Sequence, residues 1–119
     1  MRLYSSFTDQ FAGPFKAILD SGSDATLVPL THLRAIGAEE TSPGWMIGIT
    51  GHRQSVALYF VDVYIGELAF PGIRVIADKM AQEIILGRDV LNKLPLFLDG
   101  PQQQTTLLDD AIVKRLRSR

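Results

Sequence analysis

Short stretches rich in apolar and β-branched residues alternate along this chain with Gly, Pro and Asp. Residues 14–19 make one apolar run, which feeds into Asp20, and residues 25–28 make another. Residues 55–65 are dense in Val56, Tyr59, Phe60, Val61, Val63, Tyr64 and Ile65. Residues 67–77 follow with Ile73, Val75 and Ile76. Such side chains suit a pleated, half-buried surface, so each stretch predicts a strand. Short strands bounded by turn residues predict an all-β fold, an antiparallel sandwich or barrel.

Three stretches read differently. Residues 30–36 follow Pro29 and end at Gly37, a good helix stop. Residues 89–94 allow one or two helical turns before Pro95. Residues 109–116 place acids first and bases last, which suits the helix dipole. Residues 37–44 and 100–104 read as linkers.

At 119 residues the chain is one domain, too short for two independent lobes. Its net charge of -1 points to neither nucleic acid nor an anionic membrane. Lys114, Arg115, Arg117 and Arg119 concentrate positive charge at one end, either a solvated tail or a patch for an acidic partner. No aromatic-basic face accompanies them, so no nucleic-acid role is expected. The absence of cysteine excludes disulfides, thiol nucleophiles and thiolate metal sites. His32 and His52 have no obvious carboxylate partners, so no metal and no cofactor is expected, and His32 reads as a helix-surface residue. Residues 1–9 lack the apolar core of a signal peptide. The longest apolar run, residues 56–61, is far too short to cross a bilayer. The expectation is a soluble cytoplasmic protein without membrane contact.

Candidate chemistry sits at residues 17–28, where an apolar strand ends in Asp20 and is followed by Ser21, Gly22, Ser23, Asp24 and a second apolar strand. Gly22 lets backbone approach the carboxylate, and the small residues leave room for a ligand. Alone, Asp-Ser-Gly is an ordinary turn. Apolar flanks change the reading, because they hold the loop rigidly and present the carboxylate.

This stretch resembles the active-site loop of the aspartic proteases, in which an apolar residue precedes Asp-Ser/Thr-Gly. The match runs from Ile18 to Val28. Residues 84–91, Ile-Ile-Leu-Gly-Arg-Asp-Val-Leu, resemble the family's second element, an apolar pair and glycine opening a short helix. Residues 46–52, Met-Ile-Gly-Ile-Thr-Gly-His, resemble its glycine-bearing flap. Gly-Arg-Asp favours the retroviral, retropepsin-like branch. The resemblance implies a closed antiparallel barrel or sandwich with one or two short helices and a β-hairpin flap over residues 1–108. Residues 109–119 would add a C-terminal helix or a basic tail.

The resemblance also implies roles. Asp20, Ser21 and Gly22 would be catalytic, Ser21 bracing two loops across a symmetry axis and Gly22 accepting a hydrogen bond from substrate backbone. Arg88 would pair with Asp24 and pin the loop. Ile18, Asp24, Ala25, Leu27, Ile47, Gly48, Ile49 and Ile85 would contact an extended peptide, with apolar side chains flanking the cleaved bond. The chemistry needs two carboxylates sharing a proton, one acting as base on a water and the other as acid. Leu98-Asp99-Gly100 lacks the hydroxyl residue and runs into Pro101, so it reads as a strand end. One loop per chain implies a homodimer, with Asp20 beside its twin. Candidate interface strands are residues 2–7 and 105–108.

The sequence departs from the family pattern at the flap tip, which has fewer glycines, with Thr50 and His52 among them. Trp45 at the flap base either covers the cleft or anchors the hairpin in the core, and the anchor is favoured. The competing reading is a non-catalytic peptide-binding or dimerisation module, against which the intact Asp20-Ser21-Gly22 argues.

Overall fold

Alternation builds the centre of the sheet. In the computed structural model, which describes residues 1–48 and 50–118, β8 (Leu58–Ile65) and β9 (Leu68–Asp78) form a long antiparallel hairpin. Val61, Val63, Ile73 and Val75 point inward, while Phe60 and Arg74 face out. Between Val61 and Val63 the register slips. Pro71 and Gly72 take the extra positions, Gly72 with φ +66°, and its N–H donates to Asp62 Oδ1 at 2.9 Å. The bulge increases local twist and helps the sheet curl.

Around this hairpin the chain lays β1 (Arg2–Ser5), β2 (Gln10–Ala12), β3 (Ala17–Leu19), β4 (Leu27–Pro29), β5 (Glu39–Glu40) and β10 (Ile84–Leu86). The strand order is β2-β1-β8-β9-β4-β10-β3, with β5 also on β8. Two hairpins stand apart: β6 (Gly44–Ile47) with β7 (Arg53–Val56), and β11 (Leu96–Asp99) with β12 (Gln104–Leu107). The protein is therefore mostly β, as the pattern predicts.

The expectation of a closed antiparallel barrel or sandwich is corrected to a curled, open sheet with two parallel pairings. Contacts β4–β9 and β10–β3 are parallel, and β2 and β3 end the strand order, so the sheet curls without closing. β10 threads between β3 and β4, the two strands that flank the Asp20 loop, parallel to the first and antiparallel to the second. The expected linker 37–44 contains β5 and opens β6.

Two short helices form within residues 1–108 and a third follows in the C-terminal segment. α1 (Leu30–Ala35) buries Leu33, and Ile36 just beyond it is buried as well. It ends where Gly37 adopts φ +60°, with Gly37 N–H on Arg34 O and Ala38 N–H on Leu33 O. This pattern satisfies carbonyls that the helix leaves open. α2 (Arg88–Leu91) buries Val90. α3 (Asp110–Arg117) starts at Asp109, whose carboxylate accepts the Ile112 N–H at 2.9 Å. The C-terminal segment is thus helical through Arg117. The core joins Leu3, Val63 and Val75 from the sheet to Leu33 and Val90 from the helices. No helix of the described residues is long and apolar enough to cross a membrane.

Candidate active site

β3 delivers Asp20 to a loop that its own backbone holds. Asp20 N–H donates to Leu86 O at 3.0 Å, which continues the β3–β10 ladder one residue beyond the strand. Ser23 N–H donates to Asp20 O at 3.1 Å, and Gly22 N–H donates to Asp20 Oδ1 at 2.9 Å. The carboxylate is therefore oriented by the loop yet exposed. A side chain at Gly22 would crowd Asp20 Oδ1, since its Cβ would lie 3.2 Å from that oxygen.

Beneath the loop is a polar brace that sequence reasoning did not single out. Thr26, fully buried, donates its hydroxyl to Asp89 Oδ1 at 2.7 Å and its N–H to Asp89 Oδ2 at 3.1 Å. The same hydroxyl accepts the Gly87 N–H at 3.1 Å. Arg88 N–H donates to Ser23 O at 2.8 Å. Gly87 must be glycine here: a Cβ would lie 2.5 Å from Ala25 O and 2.8 Å from Ser23 O. The available signal was Thr26, a hydroxyl in an apolar strand that must find a partner when buried. Its partner, 63 positions away, could not be named without the fold.

Above the brace, Arg88 Nη2 donates to Asp24 Oδ1. The Asp24 side chain is 87% exposed and that of Arg88 47%, so the pair sits at the rim.

A cleft of about 490 Å³ opens over the loop. Of the residues that the resemblance assigns to catalysis, Asp20 and Gly22 line it, and of those it assigns to substrate, Asp24, Ala25, Leu27 and Ile47. Ser23, Trp45, Met46 and Ile76 line it as well. Ser21, Ile18, Gly48 and Ile85 are not among the lining residues. Ile18 is 48% exposed on β3, and Ile85 pairs with Ile18 and Leu27 in the sheet beneath. Ile49 lies outside the described residues.

The hairpin β6–β7 forms the opposite wall. Its turn is closed by Gly48 N–H to His52 O at 3.1 Å and Gly51 N–H to Gly48 O at 2.9 Å, with Gly51 at φ +82°. The expectation that Trp45 anchors this hairpin in the core is corrected: the indole is 64% exposed and lines the cleft. Gly44 occupies the anchoring position instead, packed so closely that a Cβ would lie 2.8 Å from Leu58 Cδ1. His32 is on the helix surface but half-buried, its ring stacked on Phe15 at 4.2 Å. Among the described residues, no group of three or more His, Cys, Asp or Glu side chains could hold a metal ion.

Fold and site together define an all-β protein with the exposed Asp20 carboxylate in a braced loop, facing a hairpin across a cleft. No family model matches the chain, and no curated protein matches it.

Proposed function

We propose that this chain is a retropepsin-like aspartic endopeptidase, active as a homodimer in the cytoplasm. The observation that carries the reading is the cleft: exposed Asp20 on a loop fixed by Thr26 and Asp89 faces a β-hairpin roof. An extended peptide between them would pair its backbone with roof and floor. Asp20 and its twin would share one proton across the two-fold axis. The ionised member would take a proton from a water attacking the scissile carbonyl, and the protonated member would donate to the carbonyl oxygen. Leu27 and Ile47 would receive apolar side chains beside that bond.

The reading also restricts the dimer contact. β1 is hydrogen-bonded on both sides, to β2 and to β8, so it has no free edge to offer. The β11–β12 hairpin stands alone and exposes Phe97 and Leu98. We assign the contact to that hairpin rather than to residues 2–7.

The test is proteolysis of casein and of a peptide library from pH 3 to 8, with and without pepstatin. Asp20→Asn should abolish cleavage. Mixing unaltered and Asp20→Asn chains in equal amounts should leave about a quarter of the dimers active if each dimer needs both carboxylates. Cleavage that survives Asp20→Asn would sink the mechanism. A well-formed dimer that cuts nothing at any pH would instead favour the non-catalytic peptide-binding module.

A further inference from the structure

The hairpin roof carries a pair of side chains that the chemistry at Asp20 does not use. Directly opposed residues of an antiparallel pair share a face. Ile47 opposes Arg53 and Trp45 opposes Ser55, so Trp45, Ile47 and Arg53 lie on one face. Trp45 and Ile47 are 64% and 68% exposed, and both line the Asp20 cleft. The Arg53 guanidinium carbon sits 5.0 Å from the centroid of the Trp45 ring. Stacking fixes the orientation of the guanidinium while leaving its N–H fork available. Among the described residues the one ion pair is Arg88 with Asp24, so Arg53 has no carboxylate partner within them. The cleft lining itself contains two carboxylates, Asp20 and Asp24, and no basic residue. Arg53 is therefore the cation on the roof's exposed face, pre-oriented by an aromatic ring and unmatched.

We propose that Trp45 and Arg53 form a subsite for a carboxylate side chain of the bound peptide, a Glu or Asp a few residues from the cleaved bond. This rests on the reading of the cleft as a peptide site. The fork of Arg53 would take both carboxylate oxygens, and the indole would cover the aliphatic stem. The substrates would be extended segments with an apolar pair at the reacting centre and an acid displaced along the strand.

Trp45 is the only tryptophan, so intrinsic fluorescence reports this subsite directly. The experiment titrates the whole 119-residue chain carrying Asp20→Asn, near neutral pH, with short capped peptides. These share a central apolar pair and differ only in Glu, Gln or Lys at flanking positions. The Glu peptide should bind about five- to tenfold more tightly than the Gln peptide, with Lys weakest. Added salt should narrow the gap. Within Arg53→Gln the Glu-to-Gln ratio should fall to about one, and Arg53→Glu should reverse the order in favour of Lys. Equal binding of Glu and Gln peptides by the protein with Arg53 intact overturns the proposal, as does a gap that survives Arg53→Gln. Cleavage by the unaltered chain is scored separately. Glu preference without any cleavage removes the protease and leaves the subsite. Cleavage without Glu preference removes the subsite alone, and no peptide binding at all removes both.

Discussion

Thr26→Val keeps a branched side chain of nearly the same shape and deletes one hydroxyl. That hydroxyl makes two hydrogen bonds, one to Asp89 Oδ1 and one from the Gly87 N–H. Thr26 is fully buried and Gly87 is buried, so water cannot replace the lost partner at Gly87. A bond to a charged acceptor contributes about 1.5–3 kcal/mol, and an orphaned buried N–H costs about 1–3 kcal/mol. The valine variant should therefore lose about 3–5 kcal/mol of stability, with Tm falling by roughly 10–20 °C. Thr26→Ser keeps both bonds and loses a methyl, which costs only about 1 kcal/mol. The assay is urea unfolding of the three proteins at one fixed concentration, because association would make stability concentration-dependent. A valine variant within about 1 kcal/mol of the unaltered protein would refute the brace, as would a serine variant less stable than the valine one.

Gly87→Ala should be worse than an ordinary surface change, losing at least about 3 kcal/mol, because the new methyl meets the backbone of Ala25 and Ser23; soluble yield and the urea midpoint read this. Asp24→Asn should cost less than about 1 kcal/mol in the same assay, since both partners of the Arg88 pair are well exposed. Tyr4 should ionise above the ordinary tyrosine value, chiefly because its hydroxyl donates to Asp9 and the nearby negative charge adds to the effect. Alkaline absorbance titration should show a tyrosine step above the ordinary value, and Asp9→Asn should bring it down. A raised value in the folded chain favours the native state below the ordinary tyrosine range, and that contribution is lost as pH rises through the folded value.

Much of the sheet could be read from residue type alone. The runs at residues 55–65 and 67–77 become β8 and β9, and the runs at 14–19 and 25–28 contain β3 and β4. α1 and α3 lie close to their expected ranges because Gly37 and Asp109 punctuate them chemically. What residue type could not supply was pairing. Strand direction depends on which segments the chain threads together, and only the fold shows β10 passing between β3 and β4. The same limit hid Asp89, whose partner lies 63 positions earlier. Trp45 failed for another reason. A two-stranded hairpin has two faces, and alternation says which residues share one but not which face meets the body. Gly44 against Leu58 decides that.

The threading of β10 also sets an order in time. Among the described residues β3 pairs with β10 alone, and Thr26 is tied to a carboxylate on α2. Until residue 89 has left the ribosome, the Asp20 loop has only its internal hydrogen bonds and lacks the partners on β10 and α2. Closing so long a loop carries an entropic cost that only the late contacts repay. A nascent or truncated chain therefore carries the acidic residue without its geometry. The site takes its shape only after residue 89 has emerged, so the making of Asp20 and its organisation are separated in time.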